Sequence, residues 1–362
     1  MRVALFAASR PHYRMAVGLA RLAGAHAAWH SLILDALAPD VRRRLPVVPA
    51  GMTHCRLPAP SCRSAQATEE AVLACLRTEA VDALLVSGGG EAALAAAQAA
   101  ERAGVLLVHL EAGQRPARDD ARAVHATLDR QALLRCCLSG RQAAILEEEG
   151  IGEGVCVVGD ALYDVFQEAC AHLDPHVAAR WGVAPQAFVL VGMDGTLQSA
   201  PSEARVACLR QLSRWGEAAG LEMLLLSDIL SGPAASGTTG DMTALAPRLR
   251  LLPPLTPHDT LSLLCACRHV LTDSDSLQRE ALYAGKRAII PHAALAGQLA
   301  LPLTGGWHRV ASACTAEELS ALSEELARPC PHPGLPEGCG LALRRMLAAV
   351  MATLADRKDG LL

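Results

Sequence analysis

Four polar clusters in this 362-residue chain hold the side-chain types that chemistry needs, each placed just after an apolar run. Ser9-Arg10 follows RVALFAA, and Ser87-Gly88-Gly89-Gly90-Glu91 follows DALLV. HLEAGQR (109–115) follows VLLV, and TDSDSLQRE (272–280) forms the fourth such junction after Val270-Leu271. A guanidinium pairs bidentately with phosphate oxygens, which makes Arg10 a candidate anion contact. Glu111, set between an apolar run and Ala-Gly, is the best carboxylate for acid–base work, and His109 stands beside it. For His109 the ordinary reading, a satisfied core histidine, is the stronger one; for Arg10 an exposed loop cation is an equal alternative. Ser274, Asp275 and Ser276 read as the loop and N-cap of a helix, whose free N–H groups and positive dipole end attract an anion. Glu280, one turn into that helix, is within reach of a ligand hydroxyl.

These residues need elements to hold them. Residues 270–291 read as strand, short loop, helix, tight turn and strand: Leu277, Ala281 and Leu282 recur at helical spacing, and Gly285 stops the helix. The same alternation runs through most of the chain. Strands read at 2–9, 28–34, 82–86, 105–108, 136–138 and 155–158, with helices between them, one of them at 68–77 with Thr68 as its N-cap. Residues 38–63 are rich in Pro and Arg and give no clear element. Asp174-Pro175, Gly182 and Pro185 punctuate a polar connector, after which strands at 188–191, 223–226 and 248–252 restart the pattern, interrupted by a Gly/Ser/Thr/Pro loop at 231–240. Alternating strands and helices imply parallel sheets covered on both faces. The expected fold is therefore α/β, with two Rossmann-like domains facing across a cleft. One would span 1–173, completed by the last helix (about 345–362), and the other 174–344. Polar loops at the carboxyl ends of the strands are where such sheets bind ligands.

Composition removes several function classes. Net charge is −4 and no basic run stands out, so neither a nucleic acid nor a membrane surface is an expected partner. Hydrophobic residues make up 51% and aromatics 3%, so the cores must rest on aliphatic side chains. No signal-peptide pattern follows Met1, and no apolar run reaches ~18 residues. The 13 cysteines are irregularly spaced with no CxxC pair, which fits buried thiols in a reducing cytoplasm. No GxGxxG follows the first strand, and no GxxxxGK[ST], GxSxG or HExxH occurs. No metal and no cofactor is expected.

In their order these motifs resemble those of the UDP-N-acetylglucosamine 2-epimerases. HLEAGQR is similar to that family's HVEAGxR, and TDSDSLQRE to TDSGGxQEE. Ser9-Arg10-Pro11 is similar to the TRP after its first strand, and VVGDALYD (157–164) to VVGNTVID. The resemblance implies a glycosyltransferase-B-like (GT-B-like) architecture, a UDP-sugar substrate and anti elimination of UDP across C1–C2, with re-addition of UDP or of water. It implies catalytic roles for Glu111, Arg10 and His109, with Arg10 on the diphosphate, and substrate contacts for Ser274, Asp275, Ser276, Glu280 and Arg115. A role in cell-surface polysaccharide synthesis and a homodimer are further implications. The sequence departs from the family at Gly89, where an aspartate stands, and at Met193, where the non-hydrolysing enzymes have a histidine. Ser227-Asp228 stands near where a second histidine is lost. Asp275-Ser276 replaces two glycines, so a carboxylate lies beside the expected diphosphate and needs a nearby cation or proton. A catalytically impaired nucleotide-sugar-binding protein and a GT-B glycosyltransferase are the alternative readings.

Overall fold

The computed structural model describes residues 1–42, 44–45, 48, 52–58, 64–116, 119–193, 200–226, 246–292 and 306–358. The loop at 231–240, Ser227-Asp228 and the segment from Ala293 lie outside them. The chain forms two compact units, Met1–Gln167 with Leu335–Leu362, and Glu168–Gly334.

The first unit runs β1 (Arg2–Ala7), α1 (Arg10–Ala23), β2 (His30–Asp35), α2 (Pro39–Arg42), β3 (Thr53–Arg56), α3 (Ala65–Thr78) and β4 (Ala83–Ser87). It continues with α4 (Glu91–Ala103), β5 (Leu106–Ala112), α5 (Asp119–Gln131), β6 (Leu134–Cys137), α6 (Gly140–Glu148), β7 (Val155–Val157) and α7 (Ala161–Cys170), inside which the first unit ends. Its seven strands are ordered β3-β2-β1-β4-β5-β6-β7 and pair in parallel. Helix α4 buries Ala93, Ala96, Ala97 and Ala100. These small side chains pack with Val72 and Leu76 of α3 over Leu84 and Val86 of β4. The N-cap of α3 is Ser64, whose hydroxyl accepts from the Ala67 N–H at 3.3 Å. Thr68, the expected cap, is instead a buried residue of the first turns: the helix starts at Ala65, three residues earlier, in a stretch that periodicity does not mark.

The second unit contains α8 (Val177–Arg180), β8 (Phe188–Gly192), α9 (Ser202–Ala219), β9 (Glu222–Leu225), β10 (Leu249–Leu251) and α10 (Pro257–Ala266). There follow β11 (His269–Thr272), α11 (Asp275–Tyr283), β12 (Ala288–Ile290), β13 (Arg309–Val310) and α12 (Ala316–Ala327). Its parallel sheet is ordered β10-β9-β8-β11-β12-β13. Val189, Val191 and Met193 pack with Leu212, Trp215 and Leu319. The last helix, α13 (Ala342–Lys358), returns to the first unit. A Cβ on Gly18 of α1 would stand 3.1 Å from Leu343 Cδ1, so a glycine lets α13 pack on α1. Asp164 caps α13, accepting the N–H groups of Gly340 at 2.7 Å and Leu343 at 2.9 Å.

Each sheet reverses its strand order once, between β1 and β4 in the first unit and between β8 and β11 in the second. Loops at such switch points are the ligand positions of open α/β sheets. Ser9-Arg10 and the glycine run follow the first pair of strands, and Gly192-Met193 and Thr272–Glu280 follow the second. Cys137 and Cys267 are buried, and burial pushes both thiols up to about 12, so they act as apolar core atoms. No described helix is long and apolar enough to cross a membrane.

Candidate active site

Glu111 is the one candidate of the first unit that the backbone singles out. Its φ is +61°, a left-handed conformation that costs a non-glycine residue about 1–3 kcal/mol. The pairing of β5 with β6 slips between Leu110 and Ala112, so Glu111 is the extra residue of a bulge. The residue is 4% exposed.

What holds this conformation is Asp129 on α5, a fully buried carboxylate. It accepts from His109 Nδ1 at 2.6 Å, from Arg115 Nη1 at 2.7 Å, and from the Gly113 N–H at 3.3 Å. Two residues before Glu111 and two and four after it are thus tied to one anchor. Burial pushes the Asp129 carboxyl up, but the His109 and Arg115 hydrogen bonds outweigh it and hold the group below its ordinary value. Gly113 is required on two counts, a φ of +75° and a Cβ that would overlap the Gln142 carbonyl.

Two of the expected site residues are tied to partners inside the first unit. His109 is fully buried, and its Nε2 meets the Gly88 carbonyl at 3.0 Å while Nδ1 serves Asp129. Both ring nitrogens thus have partners within the first unit. Arg115 gives Nε and Nη2 to Glu149 at 2.7 and 2.5 Å and Nη1 to Asp129 and the Gln114 carbonyl. Its guanidinium is a clamp between α5, the end of α6 and the loop after β5.

The remaining first-unit candidate, Arg10, is the first residue of α1, capped by Ser9, whose hydroxyl accepts from the His12 N–H at 3.4 Å. His12, which motif reasoning passed over, brings Nε2 to 3.7 Å from Glu111 Oε2. His125 was also missed. A Cβ at Gly89 would overlap its ring, so the imidazole occupies the space of the side chain that position 89 lacks. Burial, then the charge of His109, lowers His125 to about 4, and its Nδ1 is buried with no hydrogen-bond partner. No residue spacing announced it; only the fold brings α5 under the β4 loop. Gly89→Asp alone should therefore overpack the loop and cost about 1–3 kcal/mol. In urea unfolding, the Gly89→Asp/His125→Ala double variant should prove more stable than Gly89→Asp. If it is less stable, the two positions do not compete for that space.

In the second unit the loop after β11 is fixed by Thr272, whose hydroxyl donates to the Gly192 carbonyl at 2.6 Å and accepts from the Ser274 N–H at 3.0 Å. Ser274 is the N-cap of α11, and its Oγ lies 3.1 Å from Ser276 Oγ. The two hydroxyls and the first N–H groups of α11 form a cluster of donors suited to an anion. Asp275 is not an unscreened charge here: Arg279, one turn on, lies 3.0 Å from its Oδ2. Glu280 is 6% exposed on the same helix. His308 braces the helix from behind. Its Nε2 donates to the Gln278 carbonyl at 3.1 Å while Nδ1 accepts from the Ala288 N–H at 3.0 Å, a pattern open only to the neutral ring. Met193 is 1% exposed within the apolar core.

The sequence profile of the UDP-N-acetylglucosamine 2-epimerase family matches residues 61–291. Among solved structures, the Methanocaldococcus jannaschii UDP-GlcNAc 2-epimerase in complex with UDP-GlcNAc and UDP is 15% identical, with a TM-score of 0.79 over 97% of this chain and 100% of that one. The enzyme from Rickettsia bellii is 16% identical, with a TM-score of 0.79 over 98% and 97% of the two chains. That from Neisseria meningitidis, bound to UDP-GlcNAc, is 15% identical, with a TM-score of 0.77 over 97% and 100%. No curated protein sequence matches the chain.

Proposed function

The chain belongs to the UDP-N-acetylglucosamine 2-epimerase family, and from that premise we propose that it acts on a UDP-2-acetamido sugar at C2. Glu111 takes the C2 proton, the C1–O bond to UDP breaks, and a C1=C2 double bond forms. UDP, or water, then adds at C1 while C2 receives a proton. The observation that supports this reading best is the left-handed Glu111 on its bulge, fixed through three bonds to Asp129. A carboxylate held in a costly backbone conformation by so many partners is what a proton-transfer step requires. Arg10 supplies the cation for the leaving diphosphate. Ser274, Ser276 and the α11 N–H groups serve the phosphates, with Asp275 neutralised by Arg279, and Glu280 accepts from the ribose hydroxyls.

One observation favours a second reading, binding without turnover: Met193 is buried in the apolar core at a position where the resemblance implies a histidine. Exchange at C2 separates the two. The protein is incubated with UDP-N-acetylglucosamine in deuterated water and the C2 and anomeric proton signals are followed. Deuterium should enter at C2, and Glu111→Gln should slow this by about 10²–10⁴-fold, the usual contribution of a positioned acid–base group. Thermal protection by UDP with no exchange would favour binding alone; an active Glu111→Gln protein would remove Glu111 from the chemistry.

A further inference from the structure

The proposed route leaves a proton in the wrong place. If C2 loses its proton on one face and gains one on the other, each forward turnover ends with Glu111 protonated. The carboxyl must be emptied before the next cycle, yet its side chain is only 5% exposed. His12 is next to it, with Nε2 3.7 Å from Glu111 Oε2 and a side chain 22% exposed. The loop makes this approach possible. Gly88 has a φ of +70°, and a Cβ there would stand 3.1 Å from His12 Cε1 and 3.9 Å from Glu111 Oε2. The ring is anchored at its base, because the His12 N–H donates to the Ser9 cap in the first turn of α1.

We propose that His12 is the proton outlet of this site, taking the C2 proton from Glu111 and passing it to water. The inference rests on the reading of Glu111 as the C2 base. The atoms balance without any redox partner. The C2–H bond breaks and its proton goes to the Glu111 carboxylate, while the C1–O electron pair leaves with UDP; C2 regains a proton from water on the other face, so the proton released through His12 matches the one taken up. The Glu111 carboxyl then gives its proton to the His12 Nε2 lone pair, and the imidazolium releases one proton to water or buffer. At 3.7 Å the two groups are too close to sandwich a sugar carbon, so His12 acts through Glu111 and not on the opposite face of the ring.

Two variants, His12→Gln and His12→Ala, are compared with the native protein in single-turnover and steady-state measurements of C2 exchange and UDP release. Steady-state kcat should fall roughly tenfold or more, the first turnover should slow far less, and KM should hold. Added imidazole should restore kcat in His12→Ala, a response that a merely structural histidine would not show. An unchanged kcat in both variants would overturn the proposal, as would a parallel fall of first-turnover rate and kcat with no effect of imidazole. A native protein that shows no C2 exchange in a single turnover refutes Glu111 as the base, and the outlet with it. Native exchange alongside imidazole-insensitive variants refutes His12 alone.

Discussion

Asp129→Ala is expected to destabilise the first unit by about 3–5 kcal/mol, the usual cost of removing one partner from a buried ion pair. Asp129 is fully buried and serves the His109 ring, the Arg115 guanidinium and the Gly113 N–H. Without it a buried imidazole and a cation with 12% side-chain exposure lose their common acceptor. Arg115 keeps Glu149, whose side chain is 32% exposed and so holds the cation more weakly. The functional loss should be larger than the stability loss implies. Asp129 ties residues on both sides of Glu111 to one group, so without it the left-handed backbone should relax towards the extended strand and turn the carboxylate away. Asp129→Asn tests the charge separately from the shape, since the amide keeps an acceptor oxygen but opposes one donor with another. Urea unfolding and C2 exchange are the measurements. A loss below ~1 kcal/mol in Asp129→Ala would mean that the bulge is held by packing and not by this carboxylate.

The same cluster shows what the sequence could and could not convey. The apolar run at 105–108 marked the strand, but β5 runs on to Ala112 and takes in His109 and Glu111, which the sequence reading placed in the polar loop after it. Glu111 stood out as a candidate acid because an apolar run precedes it and Ala and Gly follow it. The shared partner of His109 and Arg115 was not legible, because both converge on a residue 20 and 14 positions away along the chain, in the last turns of a helix whose polar face carries many charges. No periodicity marks Asp129 among them. His125 and His308 were invisible for the same reason: a buried polar side chain is defined by what the fold brings to it. The doubly wound sheets themselves were read from alternation, and their misses have local causes. Strand β3 is a short edge strand with no fully buried residue, so residues 38–63 offered no apolar run. Helix α10 passed unread although its start signals are present: Thr256 caps it, accepting from the Asp259 N–H at 3.1 Å, with Pro257 in the first turn. The departure at Asp275 looked unfavourable until the ion pair to Arg279 was seen, a spacing of one helical turn that the sequence does contain.

Acid should unfold the second unit before the first. Two of its histidines are buried and held neutral: His269 by burial and then by the charges of Arg268, Arg287 and Lys286, His308 by burial foremost. Both fall from the ordinary 6.5 to about 4. The first unit holds His125 at about 4 in the same way. The sign follows from proton uptake. A histidine whose native value is depressed takes up its proton first in the unfolded chain, so unfolding binds protons between pH 6.5 and about 4 and stability falls as the pH falls through that window. Above it the neutral ring costs nothing, and below it the loss levels off. A gap from 6.5 to about 4 corresponds to roughly 3 kcal/mol per residue, so two such residues approach the whole stability of a typical domain and one does not. In the second unit the loss has a structural counterpart at the ligand end. His308 Nδ1 accepts the Ala288 N–H, and an imidazolium has no lone pair for it, so protonation releases the brace between β12 and the Gln278 carbonyl of α11. UDP binding should accordingly weaken on acidification before the first unit unfolds. His308→Gln can keep one acceptor and one donor without titrating, and His269→Leu removes the other group. Urea midpoints measured from pH 7 to pH 4 should fall less steeply in each variant than in the native protein, and less steeply again in the double variant. Native and double-variant proteins with the same pH dependence would show that acid acts on the second unit through other groups.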